Sequence, residues 1–443
     1  MRFKIINMFS RKFIMVLGLL LLVGNISIAY SSESDIRYRA IVYLYPNAID
    51  IKQAEVEKYF IGFEKVVPLP DKTNGPSVAV SLERELADSY PVPGIQHLSY
   101  FGRGISKVQA ESIQESKLAL IIDIAYPLGT SAERLKASSA SLFEIAKTYG
   151  GLIWDSETRE LFSHQRWNED RIKSWNQGVP NVEKHTVIHA YNNDGGVRAI
   201  TLGMAKFGLP DIVVNNFSWS LNRSVGNLVN LVAQSVVEGS ALTDRGTLKL
   251  NISALKDTQY KQGLISTLKD NAEPKLEIMI GEGKWEEGDP NNYLIELLFE
   301  NIKGDSLSEK QERLISSLFG WEDEISYVKH NKLIQEASER AKGKLSGLEK
   351  DFNNGLSPGE FIQLKAPFKT PEGGNEWMWV EVLSWKGNAI TGLLKNEPHN
   401  IPGLRGGAEV VVVQNEIFDY IRNYPDGNSE GNETGKLIMK YQN

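Results

Sequence analysis

The run KLALIIDIAYP, Lys117 to Pro127, constrains this chain more than any other stretch. Near-continuous apolar residues over so short a span, closed by a proline, predict a buried strand. TSAERLKASSASLFEIAKTYGG follows as a helix, with Thr130 or Ser131 to cap its start and Gly150-Gly151 to stop it. LIWDSETRELFS then reads as a hairpin turning at 155–158. IRYRAIVYLYP alternates like a strand before them, and IKQAEVEKYFIGFEK has helical spacing. The order strand, helix, strand, helix, hairpin predicts an α+β sandwich with helices on one face of a sheet. The turn-rich insert PLPDKTNGPSVAV and the run to GIQHLSYFGRG carry no clear pattern.

A second unit begins after QGVPNVEK. HTVIHAY and VRAITLGMAKFG read as strands joined through NNDGG, and PDIVVNN as a third. NRSVGNLVNLVAQSVVEG is an amphipathic helix ending at Gly239, and LKLN and KLEIMIGEG complete the sheet. Residues 306–353 are helical and mix charges of both signs, as a solvated connector does. FIQLKAPF, EWMWVEVLSWKGNAITGLLKN and AEVVVVQNEIFDYI then give four or five short strands. The expected fold class is therefore α+β and multi-domain, two α/β sandwich-like units followed by a small mostly-β domain. Its boundaries fall at 30–179, 180–305, 306–353 for the helical connector and 354–425, with a Gly- and Asn-rich mobile tail at 426–443.

At the N-terminus Arg2, Lys4, Arg11 and Lys12 precede the apolar run FIMVLGLLLLV, and Ser27 and Ala29 supply small residues. These are the three parts of a secretory signal peptide, expected to be cleaved near Ala29 to leave a periplasmic or secreted protein. Phe13 to Ala29 could instead remain as an anchor, although Asn25 and Ser27 interrupt its apolar character. No cysteine is present, which excludes disulfides, thiolate nucleophiles and a lipid-modified Cys. Loss of the four leader cations moves the formal charge from −7 to −11, a poor match for nucleic acid or anionic membranes.

Sequence patterns for catalysis are sparse. His185 and His189 form H-x-x-x-H, but on a strand at ~3.3 Å per residue they lie about 13 Å apart and cannot share an ion. There is no G-x-S-x-G, no H-E-x-x-H and no phosphate loop: in GNETGKL the required first glycine is Glu430 and Leu437 replaces Ser or Thr. No metal or cofactor is expected. The acidic clusters KWEEGDPNN and WEDEI read as solvated turns, and His97, His164, His330 and His399 as ordinary histidines. The most site-like central stretch places His189, Tyr191, Arg198, Lys206, Asp211, Asn215 and Asn216 at sheet ends and a turn. A hydrolase would use His189 as general base, with Arg198 or Lys206 steadying negative charge. The plainer reading of Arg198, Lys206 and Asp211 is as edge charges.

The C-terminal stretch is more specific. Lys365-Ala366-Pro367-Phe368, Glu376-x-Met378-Trp379-Val380, Gly392-x-Leu394-x-Asn396-x-Pro398, Gly406-Gly407 before EVVV, and Ile417 with Asp419 form one pattern. It resembles the YegJ-like family, domain of unknown function 2314, over about 356–425; Tyr420 stands where that pattern usually has Trp. The resemblance implies a compact, mostly β bacterial domain, often in exported proteins, and brings no activity or ligand. Within it, alternation puts Glu376, Met378, Val380 and Val382 on one face, and Trp377, Trp379, Glu381 and Leu383 on the other. Neither face is cleanly polar, which predicts cover on both. A groove here would be lined by Lys365, Glu376, Trp379, Asn396 and Arg405. The preferred expectation is an exported, non-enzymatic protein that binds an envelope protein, peptide or glycan; the alternative is an envelope hydrolase with its site at 185–216.

Overall fold

The structure, a computed structural model, describes residues 35–442 apart from 48–50, 194–195, 219–220, 241–245, 269–270, 321–331, 372, 399 and 426–427. The expected signal peptide, His330, His399 and the WEDEI cluster lie outside the described residues. Among the described residues no helix is long and apolar enough to cross a membrane.

The fold is α+β with several sheets, its C-terminal part rich in β-structure. The first sheet runs in the order Glu64–Lys65, Ser77–Glu83, Ala119–Pro127, Asp35–Leu44, Gly151–Asp155, Glu160–Ser163, Gly102–Arg103. Its long pairs are antiparallel, with Ile41 opposite Ile121. Val42, Ile122, Ile124 and Ile153 pack with Leu142 and Ile145 of helix Ser131–Tyr149. Ile41, Ile121, Leu152 and Leu161 pack on the other face with Leu98, Ala110 and Ile113, from helices Ile95–Phe101 and Lys107–Ile113. Helices therefore cover both faces, not one. An apolar run at 119–126 requires this, since an alternating strand suffices when one face is wet. SVAVSLE, inside the unassigned insert, is the strand Ser77–Glu83. The helix pattern at 51–65 shortens to Gln53–Val56 and a single 3-10 turn.

The second sheet has the order Val187–Asn193, Gly196–Leu202, Asp211–Phe217, Leu294–Leu298, Lys275–Glu282, Thr247–Asn251. Leu294–Leu298, absent from the sequence reading, joins Asp211–Phe217 in the sheet's parallel pair. Helices Asn222–Val237 and Leu307–Phe319 pack on this sheet through Leu228, Val232, Leu314 and Ile315. One apolar core runs through both sheets, and the Tyr126 hydroxyl donates to Lys206 O at 2.8 Å between them.

The third sheet has the order Glu409–Val413, Ala389–Leu394, Asn375–Lys386, Phe361–Lys369, Asp419–Asn423, Ser429–Gly431. Ala341, Leu345 and Leu348 of helices Lys332–Lys342 and Leu345–Asn353 bury one face of it, against Leu364, Met378, Val380 and Trp385. The charge-rich stretch is thus divided, Leu307–Phe319 packing into the core of the first two sheets and the later helices onto the third. The expected mobile tail instead supplies the edge strand Ser429–Gly431 and helix Glu433–Gln442. Asp419 holds that helix, accepting from Thr434 N at 2.8 Å and Thr434 Oγ1 at 2.6 Å. Gly359 N donates to Ser99 O at 2.5 Å where this region meets the first sheet's helices.

Candidate functional site

Of the seven residues of the central stretch, His189 stands apart, Arg198 meets Asn215, and Lys206 lies near enough to Asp211 for its charge to act there. His189, on Val187–Asn193, stacks on Phe101 with ring centroids 5.2 Å apart, and its Nε2 is buried without a hydrogen-bond partner among the described residues. Burial, with the Arg159 charge adding to it, pushes its pKa down to about 4. Neutral as a general base must be, its ring nevertheless has no hydrogen bond to a Ser, Asp or Glu among the described residues that would activate or orient it. His185 is not on the strand; it ends a 3-10 turn, fully buried, with Ser174 Oγ 3.3 Å from its Nε2.

Arg198 and Asp211 are wholly buried and Lys206 nearly so, which corrects their reading as edge charges. Arg198 Nη1 donates to Asn215 Oδ1 at 2.7 Å, and Nη2 to Lys284 O at 2.9 Å and Asp289 Oδ2 at 2.7 Å. The acidic turn KWEEGDPNN is therefore not simply solvated: its Asp289 is drawn inside to neutralise Arg198. Trp285 on that turn and Tyr293 just after it point outward, 57% and 82% exposed. Asp211 accepts from Thr201 Oγ1 at 2.8 Å, Asn292 Nδ2 at 2.7 Å and Met204 N at 3.2 Å. Burial outweighs these bonds and raises its pKa to about 6.

Lys206 meets residues that sequence reasoning did not single out. Its Nζ lies 2.5 Å from Asp155 Oδ2, at the hairpin turn of the first sheet. Arg171 Nη2 reaches the same oxygen at 3.1 Å and Glu160 Oε2 at 3.4 Å, and its guanidinium lies over the Phe162 ring at 4.5 Å. Burial opposes the charge on Asp155, but Lys206 and Arg171 hold its carboxyl well below the usual carboxylate range. Burial lowers Lys206, against the pull of Asp155. Nearby Glu157, half-buried, is pushed up to about 7 by burial and by the Asp155 charge. Charges this deep persist only when paired. The network ties the two sheets together, as a structural junction does. Its partners lie 51 and 16 residues apart along the chain, so no local motif announces them.

A cavity of about 560 Å³ opens between the first sheet's region and the C-terminal one, lined by Ser163, Gln165, Arg166, Tyr424 and Pro425. It contains none of the candidates, and Arg166 is already paired with Asp170 at 2.5 Å. Among the described residues no three His, Asp or Glu side chains group to hold a metal ion.

In the C-terminal sheet the hairpin is built as its alternation requires. Gly387-Asn388 makes the turn, with Gly387 at φ +58°. Gly392 lets its strand approach Asn375–Lys386, since a Cβ there would meet Glu381 O at 2.2 Å. Met378, Val380 and Val382 face the helices. The opposite face is covered in part: Trp377, Trp379 and Glu381 are half-buried and Leu383 is exposed. Trp385, beyond a bulge between Val382 and Ser384, returns to the core at 1% exposure and donates from Nε1 to Gln414 Oε1. Trp385 is filling; Trp379 is half-buried, with part of its ring at the surface.

These 12 residues of strand and the five other strands of the sheet lie inside a recognisable unit. Residues 331–439 match DUF2314, described as an uncharacterized protein conserved in bacteria. The DUF2314 region takes in helices Lys332–Lys342 and Leu345–Asn353, which cover the third sheet, and most of Glu433–Gln442, which packs against Lys332–Lys342. No curated protein and no solved structure matches the chain.

Within the DUF2314 region the five groove candidates divide. Lys365 and Trp379 are cross-strand neighbours, with the ammonium 5.6 Å from the indole centroid. Burial lowers the pKa of Lys365, opposed by Asp419, and its ammonium has no hydrogen-bond partner among the described residues. Asn396 Oδ1 accepts from Trp379 N at 2.6 Å, which ties the loop to the strand. Glu376, on the helix-side face, accepts from Asn400 N at 3.0 Å. Arg405, 81% exposed, pairs with Glu397 at 3.5 Å. Only Lys365 and Trp379 form one surface. Asn396 and Glu376 shape the loop beside it.

Proposed function

We propose that the chain is an exported, non-enzymatic bacterial protein that binds an envelope partner through the open face of its DUF2314 sheet. The observation that carries this is the Lys365–Trp379 pair: a half-buried aromatic surface with an ammonium above it that has no hydrogen-bond partner among the described residues. An apolar ring beside a desolvated cation suits a peptide, protein or glycan that presents a carboxylate next to an apolar group. The basic, apolar and small-residue order of the first 29 residues supports export. Catalysis at 185–216 finds little support in the geometry, because His189 stands apart from Arg198, Lys206 and Asp211, which are engaged in buried pairs.

The test is affinity capture from an envelope extract with the full chain, compared with Trp379→Ala and Lys365→Ala variants that keep the wild-type circular dichroism spectrum. A partner retained by the wild type, lost by both variants and released as salt rises supports the proposal. Equal capture by all three, or none by the wild type, refutes it. N-terminal sequencing of the protein from the envelope fraction tests the cleavage near Ala29.

A further inference from the structure

We propose that the edge strand Glu409–Val413 pairs antiparallel with the same strand of a second copy of this chain. The strand closes one side of the third sheet, and among the described residues nothing pairs with its outer side. Its inner side is fixed by two bonds: Leu394 N donates to Ala408 O and Gln414 N to Asn388 O, each at 2.9 Å. Since backbone groups alternate along a strand, residues 410 and 412 face Ala389–Leu394. The N–H and C=O of Glu409, Val411 and Val413 therefore point outward. Val411 and Val413 are 67% and 36% exposed.

Edges of this kind are normally blunted. The first sheet ends on the two-residue strands Glu64–Lys65 and Gly102–Arg103, and the other edge of the third sheet is only Ser429–Gly431. EVVVV has no proline and no charge after Glu409. A two-fold axis through Val411 sets Val411 against Val411, and Glu409 against Val413, of the second copy. The outward groups of the three odd residues then meet their own kind in the register that exchanges hydrogen bonds. No like charges oppose each other along the strand. This self-complementarity is what favours a second copy over an unrelated peptide strand. The inference is independent of what binds the Lys365–Trp379 face.

Sedimentation velocity of the full chain with its own N-terminus tests the pairing. The wild type is expected to be a dimer, and Val411→Lys, which places two ammonium groups face to face at the axis, to lose about tenfold or more in association. Mixing Val411→Lys with Val411→Glu is expected to restore a heterodimer, a rescue that a misfolded variant could not give. A wild type that stays monomeric at its highest soluble concentration overturns the proposal, as does a Val411→Lys variant that still dimerises or a mixture that does not associate.

Discussion

Lys206 Nζ lies 2.5 Å from Asp155 Oδ2, and the two side chains are 3% and 2% exposed. Their elements belong to different sheets, so the pair is a bond between the halves of the N-terminal core. Removing the ammonium leaves Asp155 with the Arg171 cation at 3.1 Å and the backbone N–H groups of Glu157 and Thr158. Lys206→Met is expected to destabilise the protein by about 3–5 kcal/mol, read as a lower denaturant midpoint. A loss below about 1 kcal/mol would mean that Arg171 by itself neutralises the site.

Arg198 anchors the turn at 284–289 with bonds to Lys284 O and Asp289. Lys cannot reproduce a planar fork that reaches three acceptors. Arg198→Lys is expected to cost about 2–4 kcal/mol, with Asp289 left incompletely paired. The turn should also become a new site of limited proteolysis. Unchanged cleavage there would show that Asp289 and its own backbone bonds hold the turn.

Glu157 has a pKa of about 7 in the fold against an ordinary 4.5. The folded state therefore binds this proton more readily than the unfolded chain does, and the ionised carboxylate costs stability above pH 7, a cost that is absent below pH 4.5. Glu157→Gln should be more stable than wild type at pH 8, by about 1–2 kcal/mol once the solvent still reaching this half-buried group is allowed for. Its advantage should shrink steadily as pH falls toward 4.5. An advantage independent of pH would assign the effect to packing.

The two tryptophans of EWMWVEVLSW are expected to respond differently. Trp385→Ala removes a core side chain and should cost about 3–5 kcal/mol. Trp379→Ala gives up partial burial and the cation above its ring, about 1–2 kcal/mol. Thermal or chemical unfolding of the two variants decides it, and equal losses would make Trp379 a core residue and weaken its role as a binding surface.

Much of the fold was legible wherever one short-range rule governs it. The buried strand at 119–127, the helix 131–149, the hairpin after it and the hairpin of the DUF2314 region follow from apolar period, Gly stops and tight turns. Elements were missed where the local signal was weak or interrupted: SVAVSLE sat within a turn-rich insert, and the tail from 426 looked mobile because its anchor, Asp419 to Thr434, is a tertiary bond. The separation of Glu376 from Glu381 onto opposite faces was already set by strand alternation.

The candidate site shows the limit more sharply. The sequence by itself determined the residue inventory: no thiol, no metal spacing, and a C-terminal pattern that sets Trp377 and Trp379 on one face of a strand. Only the tertiary structure decided what the charges do. Arg198, Lys206 and Asp211 are polar letters in alternating strands and turns, which local rules place at the surface. Each is buried because a partner from a distant segment, Asp289, Asp155 or Thr201 with Asn292, compensates its desolvation. Pairing across the fold depends on which elements meet, and that is a property of packing that no window of neighbouring residues contains.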